Sequence, residues 1–118
     1  MSRILVVDDD QDILNVVKIV LSMHNFTVEV ICRGEDISRS IESFSPDLIL
    51  LDVALGSVDG RDICKELKRS ANTSHIPVIL FSAHSDLANN LNECMANDFV
   101  AKPFDTSFLV DKIRKNIN

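Results

Sequence analysis

Polar residues that could do chemistry interrupt the apolar runs of this sequence at four places. They are Asp8-Asp9-Asp10, Asp52, Ser82 and Lys102. Carboxylates held a few ångströms apart repel one another, so a cluster of these acids would require a cation. Oxygen ligands favour Mg²⁺ or Mn²⁺ over zinc. A carboxylate nucleophile, a metal ion and a lysine are together the groups that phosphoryl transfer uses.

Each of these residues directly follows a short apolar run of strand length. The clearest runs span residues 4–7, 48–51 and 78–81, and weaker strand candidates lie at 26–32 and 99–101. Continuous runs of this kind are typical of parallel strands that helices cover on both sides. Because the carboxyl ends of parallel strands meet at one edge of a sheet, we expect the acids, Ser82 and Lys102 to share one crevice.

Apolar residues recur at helical spacing between these runs. The predicted helices span residues 13–21, 34–44, 62–70, 85–95 and 105–117. The apolar stripe of the first helix consists of Ile13, Val16, Val17, Val20 and Leu21, and that of the last contains Phe108, Leu109, Lys112 and Ile113. The alternation of strand and helix, repeated about five times, predicts a layered α/β sandwich.

Other polar residues have a structural interpretation. Asp10 and Asp12 are expected in the first turn of a helix, where a carboxylate complements the helix dipole. Asp59-Gly60 is expected to form the turn before the third helix. Ser85 and Asp105 are predicted to cap the helices that they precede.

Composition restricts the class of protein. The chain has 118 residues, and 12 basic against 18 acidic side chains give a net charge of −6. That length suits one domain. The acidic balance argues against direct binding to nucleic acid, which requires clustered basic residues. No apolar run has the length of a membrane span or a signal-peptide core, so we expect a cytoplasmic protein that does not bind a membrane.

The three cysteines, Cys32, Cys64 and Cys94, are widely spaced and include no CxxC pair. An odd number of separated cysteines favours reduced residues in a hydrophobic core over a metal or redox site.

Taken in chain order, the motifs resemble the receiver domain of response regulators in two-component signal transduction. The resemblance rests on residues 4–10 (ILVVDDD), Leu51-Asp52 with Asp59-Gly60, Phe81-Ser82-Ala83, and Ala101-Lys102-Pro103-Phe104. It extends over essentially the whole chain, so we expect a single receiver domain at residues 1–118 and no output domain in this chain. It also implies a flavodoxin-like (βα)5 three-layer sandwich, with a parallel sheet in strand order 2-1-3-4-5.

The resemblance implies a role for each acid of the predicted crevice. Asp52 would be the phosphoacceptor and would take its phosphoryl group from the phosphohistidine of a histidine kinase. Asp8 and Asp9 would hold Mg²⁺, together with Asp52 and the backbone carbonyl of Ala54. Mn²⁺ would be able to substitute for Mg²⁺.

A second group of residues would respond to phosphorylation. The resemblance implies that Lys102 pairs with the phosphoryl group, that Ser82 hydrogen-bonds to it, and that Phe99 turns inward as Ser82 moves. This would change the surface around the fourth helix, the fifth strand and the fifth helix. His84 could border the phosphoryl site and tune hydrolysis, or it could be an exposed residue at the start of a helix.

The implied partners are a sensor histidine kinase or a phosphotransfer protein of a phosphorelay, and a downstream effector whose identity the sequence does not reveal. The resemblance allows a homodimer on phosphorylation. It implies a regulatory protein and no enzyme, one that assists only its own phosphorylation and dephosphorylation.

Two other hypotheses stay open at this point. A small phosphatase similar to the haloacid-dehalogenase superfamily would use Asp8 as its nucleophile and Asp10 as its acid/base, because the Asp-x-Asp spacing fits. A receiver-like interaction module would not be phosphorylated.

Overall fold

A five-stranded parallel sheet forms the centre of the computed structural model, which describes residues 2–82 and 94–117. Its strands are β1 (Arg3–Val7), β2 (Thr27–Ile31), β3 (Leu48–Asp52), β6 (Val78–Ser82) and β7 (Asp98–Ala101), and a separate antiparallel hairpin consists of β4 (Ala54–Leu55) and β5 (Val58–Asp59). The order β2-β1-β3-β6-β7 is the predicted order 2-1-3-4-5 once the hairpin is set aside. The predicted flavodoxin-like α/β fold is confirmed.

Helices cover both faces of the sheet. The described helices are α1 (Gln11–Met23), α2 (Ile37–Phe44), which follows a 3₁₀ turn at Gly34–Asp36, α3 (Gly60–Arg69), and the last helix (Thr106–Ile117). α1 and the last helix share one core cluster, and α2 and α3 share the other. The predicted helix at 85–95, its cap Ser85, and His84 lie outside the described residues, except for Cys94 and Met95 at the end of that helix.

Alternation along the strands divides the core between the two faces. Even-numbered residues of β1 and β3, such as Val6 and Leu50, face α1, whereas Val7 and Leu51 face α2 and α3. All four side chains are fully buried. The continuous apolar runs therefore arise because both faces of each inner strand are covered.

Three aspartates cap helices by accepting hydrogen bonds from main-chain amides that have no partner within the helix. Asp10 Oδ1 accepts two in the first turn of α1, at 3.0 and 3.4 Å. Asp59 Oδ1 accepts one from the amide of Arg61 at 2.9 Å at the start of α3. Asp105 Oδ1 accepts two at the start of the last helix, at 2.8 and 3.3 Å. The predicted cap at Asp105 is confirmed, and Asp10 directly precedes the first turn in which it was expected.

The predicted apolar stripes are partly wrong. The buried face of α1 consists of Leu14, Val17 and Leu21, while Val16 is 54 % exposed. On the last helix, Phe108 is 50 % exposed. Apolar residues continue around more of α1 than one sheet face can cover, so the spacing did not show which of them are buried.

Asp98 joins the last helix to β7. Lys112 Nζ lies 2.8 Å from Asp98 Oδ1, and Asn116 Nδ2 donates a 3.2 Å hydrogen bond to Oδ2. Burial alone would raise the pKa of Asp98, but the hydrogen bond from Lys112 and those from Phe99 and Asn116 outweigh burial and lower it. This ion pair explains why a lysine occurs among the apolar residues of the predicted stripe, since Asp98 lies at the edge of the core.

Two of the three cysteines are buried. Cys64 and Cys94 lie in the core on the α2 and α3 face, and Cys64 Sγ donates to the Cys94 carbonyl at 3.3 Å. Burial, and secondarily the neighbouring Cys94 thiol, raises the pKa of Cys64 to about 12. The prediction of a core position was wrong for Cys32, which is exposed because it follows the edge strand β2.

Within residues 2–82 and 94–117, no helix combines the length and the apolar character that spanning a membrane demands.

Candidate functional site

A crevice of about 350 Å³ lies at the carboxyl edge of the sheet. Its lining residues are Asp8, Asp9, Asp10, Asp52, Ala54, Gly56, Ser82 and Lys102. The structure therefore brings together every residue that the sequence assigned to this edge, from four different strand ends.

Strand alternation explains why Asp8 and Asp52 meet. Each follows an α1-facing core residue by two positions, namely Val6 and Leu50, which are direct neighbours in the β1–β3 register. Asp8 has no exposed surface and Asp52 is 3 % exposed. Two carboxylates are thus held side by side in a site with little water, an arrangement that is costly unless a cation is present.

Lys102 supplies a positive charge to both carboxylates. Its Nζ lies 2.9 Å from Asp8 Oδ2 and 3.4 Å from Asp52 Oδ1. The other oxygen of Asp8 accepts a 2.9 Å hydrogen bond from the amide of Asp10. The main-chain amide of Lys102 donates to the carbonyl of Ser82 at 2.8 Å, which fixes the lysine backbone at the crevice. Lys102 is followed by Pro103 through a cis peptide bond.

The pKa of Asp52 reflects this environment. Burial is the largest cause and the charge of Asp8 the next, and together they raise the pKa of Asp52 from 3.8 to about 6. Lys102 opposes them, as does the amide of Ala54, which donates to Asp52 Oδ1 at 3.3 Å. One lysine is therefore insufficient to restore an ordinary pKa to the buried acid.

Three carboxylates could hold a metal ion. Asp8, Asp9 and Asp52 each offer an oxygen, and these oxygens lie within 4.8 Å of one another. Asp9 is exposed and its two partners are buried, so the group opens to solvent on one side. An all-oxygen donor set with an open side fits a hard divalent cation that keeps part of its water shell.

Gly60 lies directly beneath Asp52, a contact that the sequence did not reveal. A Cβ at this position would be 2.1 Å from the carbonyl oxygen of Asp52. The amide of Gly60 donates to the carbonyl of Val53 at 2.7 Å, which holds the start of α3 against the end of β3. The sequence predicts turn chemistry for Asp59-Gly60, and the glycine has the further role of allowing this close approach.

Ser82 and Phe99 lie on the opposite face of the sheet from Asp52. Ser82 is 2 % exposed and borders the crevice. Phe99 is half-buried, pairs in register with Leu80, and packs in the core cluster of α2 and α3. It does not line the crevice, but alternation puts it on the same face as Ser82.

Phe81 is a further contact of the site that sequence reasoning missed. Lys102 Nζ lies 4.6 Å from the centroid of its ring. The sequence predicts Phe81 as the last residue of an apolar run and as part of the Phe81-Ser82-Ala83 motif, and neither gives it a contact with Lys102. The strand order is the signal that would have found it, because β6 lies between the strands that carry Asp52 and Lys102.

Comparison with known proteins agrees with this geometry. The family model described as the response regulator receiver domain matches residues 4–114. The chain is 36 % identical over 116 residues to the nisin biosynthesis regulatory protein NisR of Lactococcus lactis, covering 98 % of this chain and 50 % of that protein. It is 34 % identical to the DNA-binding dual master transcriptional regulator RpaA of Synechocystis, covering 97 % and 48 %.

The chain thus spans about half the length of these two relatives. Among solved structures, the response regulator TrrA of Thermotoga maritima in complex with Mg²⁺ and a beryllium fluoride superposes with a TM-score of 0.88 at 28 % identity, covering 98 % of this chain and 99 % of that one. The fold, the crevice and the match over residues 4–114 lead to one assignment: the chain belongs to the response-regulator receiver domain family.

Proposed function

We propose that this chain is a phosphoacceptor signalling module in which Asp52 takes a phosphoryl group from a phosphohistidine. The observation that carries the proposal is the surroundings of Asp52. It is a buried carboxylate with a raised pKa, next to two further acids and a lysine. Membership of the receiver family supports the same assignment.

The transfer balances with the groups at hand. An Oδ atom of Asp52 attacks phosphorus and forms an O–P bond while the P–N bond of the donor breaks. The electron pair stays on the imidazole nitrogen, and the ring leaves as neutral imidazole because its other nitrogen carries a proton in the donor. Lys102 already lies 3.4 Å from Asp52 and would neutralise charge on the phosphoryl oxygens. Ser82, at the rim, would hydrogen-bond to the same group.

We propose that Asp8, Asp9, Asp52 and the main-chain carbonyl of Ala54 hold Mg²⁺, for which Mn²⁺ would substitute. The donor set fits this ion, and the TrrA relative was solved with it. When bound, the ion would shield the carboxylates from the incoming phosphoryl group and act as a Lewis acid. Within the chain, Asp8 would exchange Lys102 for the metal ion.

The donor in this proposal is a histidine kinase or a phosphotransfer protein. A second cavity of about 460 Å³ adjoins the crevice at Lys102, and its walls include Ile13, Val16 and Phe104. Exposed apolar side chains continue along α1 at Ile19, which is 62 % exposed, and Met23, which is 76 % exposed. A protein that presents a phosphohistidine to Asp52 would bury this surface, whereas a small phosphodonor would leave it in water.

The output follows from the same proposal. Phosphorylation would draw Ser82 inward and repack Phe99, which shares its face of the sheet, and so change the surface that an effector or a second copy of the chain contacts. RpaA is named for DNA binding as a whole protein, of which this chain matches about half. With a net charge of −6, we expect the effect of this chain on DNA to be indirect.

We further propose a regulatory protein that is located in the cytoplasm and catalyses no reaction on other molecules. Family membership supports both statements. The three cysteines are thiols that form no disulfide, which fits a reducing compartment. The role of His84 in tuning hydrolysis stays a prediction.

The phosphatase hypothesis is disfavoured by the geometry. It needs Asp10 as an acid/base, but Asp10 caps α1 through two hydrogen bonds. It also needs Asp8 as a nucleophile, but both carboxylate oxygens of Asp8 already have partners, Oδ2 in Lys102 and Oδ1 in the amide of Asp10. The hypothesis of an unphosphorylated module does not explain why Asp52 is buried with a raised pKa beside a lysine.

Intact-mass spectrometry tests the proposal. The purified chain with Mg²⁺ and acetyl phosphate should gain the mass of one phosphoryl group, and Asp52→Asn should gain none. Peptide mapping after borohydride trapping should place the label on Asp52. A label on Asp8 would support the phosphatase instead, and an unmodified wild type would refute the proposal.

A further inference from the structure

We propose that Phe81 is a positioning residue for Lys102, and that its ring is a platform across which the lysine reaches the two buried aspartates. This inference rests on the proposed function of the crevice, in which Lys102 acts on the phosphoryl group. The juxtaposition of Lys102 and Phe81 is established by the contact of the ammonium with the ring.

The strand order puts Phe81 beneath the lysine side chain. Asp8 follows β1, Asp52 ends β3, Phe81 lies in β6 and Lys102 follows β7, and these strands are consecutive neighbours in the sheet. Adjacent strands are about 4.8 Å apart, so the lysine side chain must cross the whole of β6 to reach β3. Phe81 is the register partner of Asp52, on the same face, and therefore occupies the surface that the lysine crosses.

The contact has the geometry of a cation–π interaction. Lys102 Nζ lies 4.6 Å from the ring centroid, inside the range of about 6 Å over which such pairs attract. The ring is fully buried and the lysine side chain is only 17 % exposed. An aromatic face in a site with little water attracts an ammonium more strongly than one on the surface.

Phe104 holds the platform in place. Its ring meets that of Phe81 edge-on, at a centroid distance of 6.3 Å and an interplanar angle of 73°. Phe104 comes two residues after Lys102, so the turn that positions the lysine also fixes the ring beneath it. An aliphatic residue at position 81 would fill space but would offer no negative face to the ammonium.

Nuclear magnetic resonance tests the contact without any phosphorylation. Protons above an aromatic face are shielded, so the ε-methylene protons of Lys102 should resonate upfield in the metal-free wild type. Phe81→Leu and Phe81→Met should each abolish the upfield shift, and Met keeps the site filled if Leu fails to fold. Phe26→Leu, the same change in the same core but away from the crevice, should preserve it. An unchanged shift in the Phe81 variants would overturn the proposal.

Phosphorylation kinetics test the function of the contact. With acetyl phosphate and Mg²⁺, Phe81→Leu should react about three- to tenfold more slowly than wild type, between the values of an exposed and a fully desolvated cation–π contact. In a Lys102→Gln background the same substitution should cause no further loss, because the ring would have no cation to position. An equal loss in both backgrounds would show that Phe81 acts through packing at Ser82 and would contradict the proposal.

The two experiments separate this inference from the proposed function. A wild type that takes up no phosphoryl group would refute the function of the crevice, whereas the proton shifts of metal-free Lys102 would still decide whether Phe81 positions it.

Discussion

The ammonium of Lys102 lies 2.9 Å from Asp8 Oδ2, although the two residues are 94 positions apart in the chain. Both side chains are withdrawn from solvent, Asp8 completely. In the absence of a metal ion, the lysine is therefore the counter-ion of the acidic crevice. Because the lysine already contacts this carboxylate, we expect it to compete with a metal ion that binds Asp8.

Replacing the lysine should strengthen metal binding. Lys102→Gln removes a competitor and a like charge, and we expect about tenfold tighter Mg²⁺ binding, since a unit charge a few ångströms away contributes more than about 1 kcal/mol at an intermediate effective dielectric. The free energy of unfolding of the metal-free variant should be about 3 kcal/mol lower, because two buried carboxylates lose their partner. Isothermal titration calorimetry and urea unfolding measure the two effects.

Lys112→Gln is the matched control, since it removes a lysine that pairs with Asp98 away from the crevice. It should leave Mg²⁺ affinity unchanged. Weaker Mg²⁺ binding by Lys102→Gln would contradict the competition.

The stability of the metal-free protein should fall as the pH rises. The folded pKa of Asp52, about 6, exceeds its unfolded value of 3.8, so the folded state binds the proton more tightly. The resulting stabilisation is complete below pH 3.8 and is lost as the pH rises through about 6. When the pH is lowered from about 7.5 to about 5, protonation of Asp52 should raise the free energy of unfolding by about 1 kcal/mol.

Urea unfolding in a chelator at these two pH values, for wild type and Asp52→Asn, measures the difference. Asp52→Asn should lack this contribution, and saturating Mg²⁺ should suppress it in wild type by favouring the ionised carboxylate. Equal pH dependence in the two chains would refute the raised pKa.

A methyl group at position 60 should disrupt the site. Gly60→Ala would put a Cβ 2.1 Å from the carbonyl oxygen of Asp52, and main-chain atoms cannot yield as a flexible side chain does. We expect a loss of about 3 kcal/mol or more in the free energy of unfolding, at the upper end of overpacking costs, and slower phosphorylation of the displaced Asp52. Chemical denaturation and intact mass measure both.

Gly56→Ala gives the comparison. Gly56 has a φ of +66°, and a Cβ added there would meet no other atom within 4 Å. Alanine at this position should therefore lower the free energy of unfolding by about 1 kcal/mol, through backbone strain alone. Similar losses for the two variants would argue against the close contact beneath Asp52.

A charge on the apolar face of α1 should separate protein donors from small ones. Val16→Glu should slow phosphotransfer from a phosphohistidine protein at least about tenfold, since a carboxylate would be buried at the interface. Phosphorylation by acetyl phosphate should change little, because Val16 lines the neighbouring cavity and not the crevice. Asn15→Glu adds the same charge to the same helix outside that cavity, and it should change neither the rate of phosphotransfer from the protein nor the rate with acetyl phosphate. Equal slowing with both donors would contradict a docking role.

The positions of the reactive side chains could be predicted from the sequence because one rule determines them. Each lies where an apolar run ends, and parallel strands bring their carboxyl ends together. Asp8, Asp52 and Lys102 therefore met as expected without knowledge of the distances. The helix cap at Asp105 followed from equally local chemistry.

The remaining features depend on neighbours that are distant in sequence. Which side of α1 is buried depends on the width of the sheet beneath it, so the prediction that Val16 belongs to the core was wrong. Cys32 is exposed because β2 lies at an edge, which follows from strand order and not from the local pattern. The contacts of Gly60 with Asp52 and of Phe81 with Lys102 likewise exist only after the strands have assembled.

The parity of the strands has a consequence for how this chain can change. In β1 and in β3 the acid follows a core residue by two positions, as Asp8 follows Val6 and Asp52 follows Leu50. The same strand alternation therefore orients both the core side chains and the reactive acids. A one-residue deletion within β1 or β3 would turn the acids toward the opposite layer and exchange the buried side chains between the two core layers in one event. We therefore expect insertions and deletions to be tolerated in the connections, such as the segment between α3 and β6, and not within the inner strands.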